Sequence, residues 1–377
     1  MNSEDTHRRF MRRALAEARK GLGRTAPNPC VGAVIVRDGQ VVAAGYHRKA
    51  GTPHAEIHAL RAAGSAARGA TLYVTLEPCS HYGRTPPCAH AVVKAGIAEV
   101  VIGLLDPNPL VDGSGADYLR SKGIAVVTGV LEEQCREINR PFLKHVATSL
   151  PWIVLKAGLS LDGRITFRRG SRGAVTGDAS VRQVHRLRDR CDAILVGIGT
   201  ISIDDPSLTT RFAGKRGRDP VRVVLDTTLR VDERARVLCQ QSTAPTLLFC
   251  SAMADPVKRA RLAVRPGVEI IEIACTDDGR LDPGEVLRLL GARGITSVLV
   301  EGGAAVHGAF LAARLVDRVN LFYAPIFIGD GGNGVVENYL AAPDRNHAPR
   351  LVNTSVKRFG EDLMITGDVS YHNQRQS

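Results

Sequence analysis

The sequence predicts an α/β protein of two domains, residues 1–149 and 150–377. Three observations carry that expectation. Segments of helical length with apolar residues at helical spacing alternate with short apolar runs, the pattern of helices layered on a sheet. A chain of 377 residues is long enough for two cores of ordinary domain size. The alternation also breaks at Ser149, and Pro151 opens a fresh apolar run, because the residue before a proline is driven out of helical backbone.

In the first domain Phe10, Met11, Ala14, Leu15 and Ala18 recur at helical spacing, so residues 5–20 predict a helix that Gly21 stops. The runs 31–36 and 41–44 flank Asp38-Gly39, a dipeptide suited to the positive dihedrals of a tight hairpin turn. A helix at about 54–63, a strand at 71–76, a helix at 89–95, a strand at 100–104 and a long helix at 131–148 follow. The second domain predicts strands at 152–155, 193–196, 221–225, 246–249, 268–273 and 297–300, with helices between several of them. No short repeat or low-complexity tract interrupts this order.

Composition excludes several classes. Apolar residues at 44% and charged residues at 23% lie near the globular average, which argues against a disordered or fibrous chain. No apolar run reaches the roughly 20 residues that cross a bilayer, and the charged stretch 1–13 leads into no signal-peptide core. The expectation is a cytoplasmic protein with no membrane partner. Eight cysteines are too sparse for a disulfide scaffold. Cys30, Cys135, Cys191, Cys239, Cys250 and Cys275 read as packing thiols, which leaves Cys79 and Cys88 apart. A net charge of +12 favours an anionic partner, yet the arginines are scattered and aromatics make up only 5%. A phosphorylated small molecule therefore fits better than nucleic acid.

His54-Ala55-Glu56 opens a predicted helix, and Pro78-Cys79 and Pro87-Cys88 follow a predicted strand. One imidazole and two thiolates make a known catalytic zinc set, with the fourth position left for water. Residues two apart in mid-helix point about 200° away from each other, so His54 and Glu56 can share a site only where the helix begins. Hydrolytic loss of an exocyclic amine needs hydroxide at neutral pH, which zinc provides, and a carboxylate that is not a ligand to carry protons, here Glu56. The competing readings are a structural zinc knuckle, or a histidine and two thiols that never meet.

Two residues usually separate the cysteines of this signature, whereas eight do here. The strings Thr75-Leu76-Glu77-Pro78-Cys79-Ser80-His81 and Gly83-Arg84-Thr85-Pro86-Pro87-Cys88 closely resemble the bifunctional deaminase-reductase family of riboflavin biosynthesis. So do Pro27-Asn28-Pro29, the segments Gly45-Tyr46-His47 and Gly51-Thr52-Pro53, and Asp106-Pro107-Asn108-Pro109. Beyond residue 150 the resemblance continues in Leu155-Lys156-Ala157-Gly158, Ser160-Leu161-Asp162-Gly163, Asp204-Asp205-Pro206 and Val300-Glu301-Gly302-Gly303. It implies a cytidine-deaminase-like α/β/α sandwich followed by a dihydrofolate-reductase-like α/β domain. It also implies zinc-dependent deamination of a diamino-pyrimidinone phosphoribosylamine, then NADPH reduction of ribosyl to ribityl. Carried over by position, the metal ligands are His54, Cys79 and Cys88, with Glu56 catalytic. Gly158, Thr200, Asp204, Thr227 and Gly303 match cofactor contacts. Asn28, Lys156, Arg188, Leu208, Arg211 and Glu301 match substrate contacts, the arginines suiting a phosphate by their planar fork. A homodimer or homotetramer is expected.

Read from the residues alone, Gly197-Ile198-Gly199 and Gly302-Gly303 are either plain strand-to-helix turns or backbone cradles for a cofactor's anionic groups. His47 and His81 are either substrate contacts or supports for the metal ligands, and His58 reads as packing. The chain departs from the family at Arg172 and Ala174, where a serine and a tryptophan are usual, and at Tyr82, where a second histidine is common. Those departures motivate an alternative: the same deaminase in a related azapteridine pathway, with an altered or inactive reductase. A nucleic-acid deaminase has no use for the second domain. A zinc-stabilised scaffold would not depend on Glu56.

Overall fold

Asp38 and Gly39 both hold positive φ, 50° and 76°, and their tight turn joins β1 (Gly32–Arg37) to β2 (Gln40–Tyr46). The computed structural model describes residues 3–80, 87–106 and 113–371, and the chain forms two units, Met1–Ser149 and Leu150–Ser377.

In the first unit α1 (Ser3–Ala18) precedes the hairpin. Then come α2 (Ala55–Ala63), β3 (Thr71–Val74), α3 (Cys88–Lys94), β4 (Glu99–Ile102), α4 (Ser114–Ser121), β5 (Ala125–Val127) and α5 (Glu132–Thr148). The strands form one sheet in the order β2-β1-β3-β4-β5, antiparallel up to β3 and parallel beyond it. The apolar stripe of α1, with Met11 and Leu15, packs with Ile35, Leu72 and Ile102 in the core. A Cβ at Gly45 would lie 2.6 Å from both the Ala55 carbonyl and the Ala59 nitrogen, so only glycine lets β2 press onto the start of α2. The short α4 and the three-residue β5 escape a reading by periodicity.

The second unit runs β6 (Trp152–Leu159), α6 (Asp178–Arg190), β7 (Ala193–Gly197), α7 (Ile198–Asp204), β8 (Arg211–Phe212), β9 (Lys215–Arg216), β10 (Val221–Leu225), β11 (Thr246–Cys250) and α8 (Pro256–Ala263). It continues with β12 (Val268–Glu272), α9 (Pro283–Ala292), β13 (Ser297–Gly302), α10 (Ala304–Ala312), β14 (Arg318–Tyr323), β15 (Arg350–Phe359) and β16 (Asp362–Ser370). Its main sheet has the order β12-β11-β10-β7-β13-β6-β14-β16-β15, parallel from β12 to β14. Alternate residues of its central strands feed different cores: Leu195 and Val223 join one, Val196 and Val224 another. Burial on both faces is what a parallel sheet requires.

β6 extends four residues past the expected 152–155. Leu155, Ala157 and Leu159 are buried while Lys156 and Gly158 are half-buried, so its end alternates and lacks the continuous apolar run of a buried strand. The C-terminal hairpin β15–β16 was not expected either, because β15 is exposed along nearly its whole length and carries no apolar face. Cys239 is exposed and so is not the packing thiol expected, whereas the half-buried Cys275 packs against the core of the second unit, and Cys30, Cys135, Cys191 and Cys250 are buried.

Candidate active sites

His54 sits at the N-cap of α2 with extended backbone, φ −70° and ψ 166°, while Glu56 lies in the first turn. This is the helix opening that lets two residues so close in sequence face one site. Cys88 begins α3, and its backbone N–H donates to Cys79 Sγ at 3.3 Å, while the Ala89 N–H donates to the Cys79 carbonyl at 3.1 Å. His54 Nδ1 lies 3.2 Å from Cys88 Sγ and 3.7 Å from Cys79 Sγ, and the three ligand atoms all fall within 4.8 Å of one another. Tetrahedral zinc, with Zn–N about 2.0 Å and Zn–S about 2.3 Å, sets such atoms about 3.6 Å apart. The donor set therefore fits zinc, and three protein ligands leave one position open, as catalysis requires and a closed structural site does not.

The thiol of Cys88 donates to Cys79, which together with His54 holds the Cys79 thiol far below its ordinary value; the same bond, with burial, pushes Cys88 up. Burial raises the Glu56 carboxyl to about 7, against the opposing pull of His54. Glu56 is only 3% exposed, so this carboxyl is insulated from bulk water.

Two supporting residues, Glu77 and Asn139, were given no role from the sequence, whereas His47 was given one. The Glu77 carboxylate accepts from the backbone N–H groups of Asp106 and Gly113 at 3.1 Å and of Ala116 at 2.9 Å, pinning the turn before Cys79 to the start of α4. Asn139 accepts from the Cys30 N–H at 2.8 Å and donates to its carbonyl at 3.2 Å, holding the chain beside Pro27-Asn28-Pro29. His47 stands edge-on to His54, with ring centroids 5.4 Å apart. Its Nδ1 is 3.2 Å from the Pro53 carbonyl and its Nε2 3.2 Å from the Asn28 Nδ2. One neutral tautomer satisfies both, donating at Nδ1 and accepting at Nε2, and burial keeps the ring neutral by lowering its pKa. His58 stays outside the cluster, against Gly45. His81, Tyr82, residues 83–86 and the Pro107-Asn108-Pro109 turn lie outside the described residues.

In the second unit all ten residues expected from the sequence line one cavity of about 710 Å³: Lys156, Gly158, Arg188, Thr200, Asp204, Leu208, Arg211, Thr227, Glu301 and Gly303. It opens at the carboxyl ends of β6, β7, β10 and β13. β13 lies between β6 and β7, which α6 connects, and such crossovers are where open α/β sheets take ligands. Asp226 accepts from the Arg230 and Val231 N–H groups, both at 2.8 Å, and so shapes the turn that presents Thr227. The starts of α7 and α10 also border the cavity, which brings Gly197-Ile198-Gly199 and Gly302-Gly303 to the same space.

Arg188 and Glu301 form a bidentate pair, Nε to Oε1 at 2.6 Å and Nη2 to Oε2 at 2.8 Å, and Arg188 Nη1 donates to the Thr209 carbonyl at 3.1 Å. The fork of Arg188 is thus occupied by Glu301, and the exposed Arg211 is the better placed of the two for a phosphate. Burial lowers the pKa of Lys156, with Glu301 opposing. Two histidines went unnoticed in the sequence. His185 Nδ1 accepts from the Arg211 N–H at 3.2 Å, one turn before Arg188 on α6. His307 turns Nδ1 to the Val335 carbonyl at 2.9 Å, leaving its buried Nε2 without a partner. Burial holds both near 4, hence neutral.

Residues 4–104 match the family described as the cytidine and deoxycytidylate deaminase zinc-binding region, and residues 151–365 match the RibD C-terminal domain. The riboflavin biosynthesis protein RibD of Bacillus amyloliquefaciens is 42% identical, covering 97% of this chain and 99% of its own length. That of Escherichia coli is 40% identical over 94% and 97%. Among solved structures, Acinetobacter baumannii RibD has a TM-score of 0.86 at 35% identity, covering 98% of this chain and 100% of that one. The Thermotoga maritima diaminohydroxyphosphoribosylaminopyrimidine deaminase/5-amino-6-(5-phosphoribosylamino)uracil reductase has a TM-score of 0.84 at 37% identity, with the same coverage.

Proposed function

The chain belongs to the RibD family of bifunctional riboflavin-biosynthesis enzymes, and from that premise we propose which of its residues carry the two reactions. The enzyme deaminates a diaminohydroxyphosphoribosylaminopyrimidine and then reduces the ribosyl side chain of the product to ribityl, with zinc and NADPH as cofactors.

In the first unit His54, Cys79 and Cys88 would hold the zinc, which when bound would supply a hydrolytic nucleophile at neutral pH. Glu56 carries two protons in turn, the first from the attacking water to the ring nitrogen and the second from the added hydroxyl to the departing amine, which leaves as ammonia. Its carboxyl is buried beside His54 and Cys88, where it can pass protons without exchange with bulk water. Asn28, whose amide nitrogen donates to His47, keeps its carbonyl oxygen for the pyrimidine edge. The observation that carries this reading is the convergence of three ligand atoms within 4.8 Å.

In the second unit NADPH, when bound, would supply a hydride for the open-chain sugar carbon. Gly158, Thr200, Asp204, Thr227 and the Gly303 turn would hold the cofactor, with the backbone at the starts of α7 and α10 available to its anionic groups. Lys156, Leu208, Arg211 and the Arg188–Glu301 pair place the substrate, with Arg211 taking its phosphate. This unit carries a complete set of these groups in one cavity, which supports a working reductase.

We also infer a cytoplasmic enzyme that acts on phosphorylated small molecules without nucleic acid or membrane. The eight cysteines, none of them in a disulfide, and the scattered arginines support this, and among the described residues no helix is long and apolar enough to cross a membrane. The ten-residue edge strand β15, which has one neighbour in its sheet, supports assembly as a homodimer or homotetramer.

Chelation separates the two sites. Dialysis against a strong chelator is expected to abolish ammonia release while NADPH oxidation on the deaminated intermediate persists, and added zinc restores the first. Deamination that survives complete metal removal would refute the assignment of the first site.

A further inference from the structure

The segment 164–176 borders the reductase cavity, and its two ends are fixed. At one end the Ile165 N–H donates to the Asn333 carbonyl and the Arg169 N–H to the Gly331 carbonyl, each at 2.9 Å. Arg164 pairs with Asp330 at 2.7 Å. At the other end Thr176 packs on Gly158, and the Gly177 N–H donates to Asp362 Oδ2 at 2.9 Å. Between these anchors residues 171–175 form a strap, and Ser171, Gly173, Ala174 and Val175 line the cavity.

Arg172 ties the middle of the strap to the opposite wall. Its Nε donates to the carbonyl of Ile203 in the last turn of α7. That carbonyl belongs to the negative end of the helix, where a cation is favoured. The Arg172 charge also acts on the neighbouring Asp204 carboxyl, opposing the rise that burial imposes. Thr200, Ile203 and Asp204 of α7 line the same cavity as the strap. Gly173 has φ 148°, a conformation that side chains other than glycine's rarely allow. The strap therefore turns immediately after Arg172, with the exposed arginine directed to α7 and Ala174 to the cavity.

We propose that Arg172 is a clasp that holds the 171–175 strap against α7 over the cofactor side of the reductase cavity, a positioning residue that slows release of NADPH without touching it. The serine usual at this position is too short to reach across in the same way, so the clasp is particular to chains with a long cation here. The inference rests on the reading of this cavity as the NADPH site.

The test uses the full-length protein, with Arg172→Ala and Arg172→Lys compared by NADPH fluorescence titration, stopped-flow release and tryptic cleavage after the exposed Arg169. Loss of one hydrogen bond from a charged donor is expected to raise the Kd for NADPH roughly tenfold in Arg172→Ala, chiefly through faster release. Cleavage after Arg169 should also quicken in that variant, even with NADPH bound. Arg172→Lys, which keeps the charge and a donor, should recover most of both. Unchanged Kd and cleavage in Arg172→Ala would overturn the clasp while leaving the cofactor reading intact. Failure of the unaltered protein to bind NADPH would overturn both.

Discussion

Replacing Glu56 by glutamine is expected to lower the rate of deamination by about two to four orders of magnitude, the usual contribution of a positioned acid-base group. Zinc content should not change. Glutamine keeps the shape and the buried position in the first turn of α2 but cannot carry a proton, whereas His54, Cys79 and Cys88 remain to hold the metal. Ammonia release and metal analysis on the same sample decide the matter, and NADPH-dependent reduction of the deaminated intermediate serves as the internal control. Retained zinc with full turnover would leave Glu56 a packing residue, and the scaffold reading would then gain.

The second large effect is expected at Arg188. Its side chain is 13% exposed and that of Glu301 only 7%, so Arg188→Ala leaves a buried carboxylate without its bidentate partner. Removing one member of such a pair typically destabilises by about 3–5 kcal/mol, because the remaining charge stays out of water. Calorimetry should show a lower transition for the second unit, and reduction should be lost with deamination intact. Arg188→Met combined with Glu301→Leu distinguishes stability from function: removing both charges should restore much of the transition temperature but not the reduction. Recovery of reduction in the double variant would mean that the pair is structural only.

How much of this was legible in the sequence depends on how far apart the partners lie along the chain. The convergence of His54, Cys79 and Cys88 was legible because each carries a local mark: His54 and Glu56 share a helix opening, and both cysteines follow a proline. The hairpin turn at Asp38-Gly39 was legible for the same reason. The Arg188–Glu301 pair was not, since its members are 113 residues apart and each, taken alone, looks ready for a phosphate. Asn139, which braces Cys30 from 109 residues away, gives no local signal at all. Glu77 stood within a quoted motif, yet its task depends on backbone amides of residues 106, 113 and 116. Arg172 shows the opposite case. A departure from the family pattern that cast doubt on the reductase is, in the folded chain, a side chain with a defined partner, the Ile203 carbonyl, beside the cavity of the second unit.

The central claim is that two sites of this chain act in order on one substrate. Mass-resolved analysis of the products formed from the diaminopyrimidine substrate, with and without NADPH, tests that claim most directly. Without NADPH the product should carry oxygen in place of the amino group and an unreduced ribosyl chain. With NADPH that species should gain two hydrogens and accumulate as the ribityl compound. Accumulation of the unreduced uracil in the presence of NADPH, or of a reduced but still diamino species, would contradict the account.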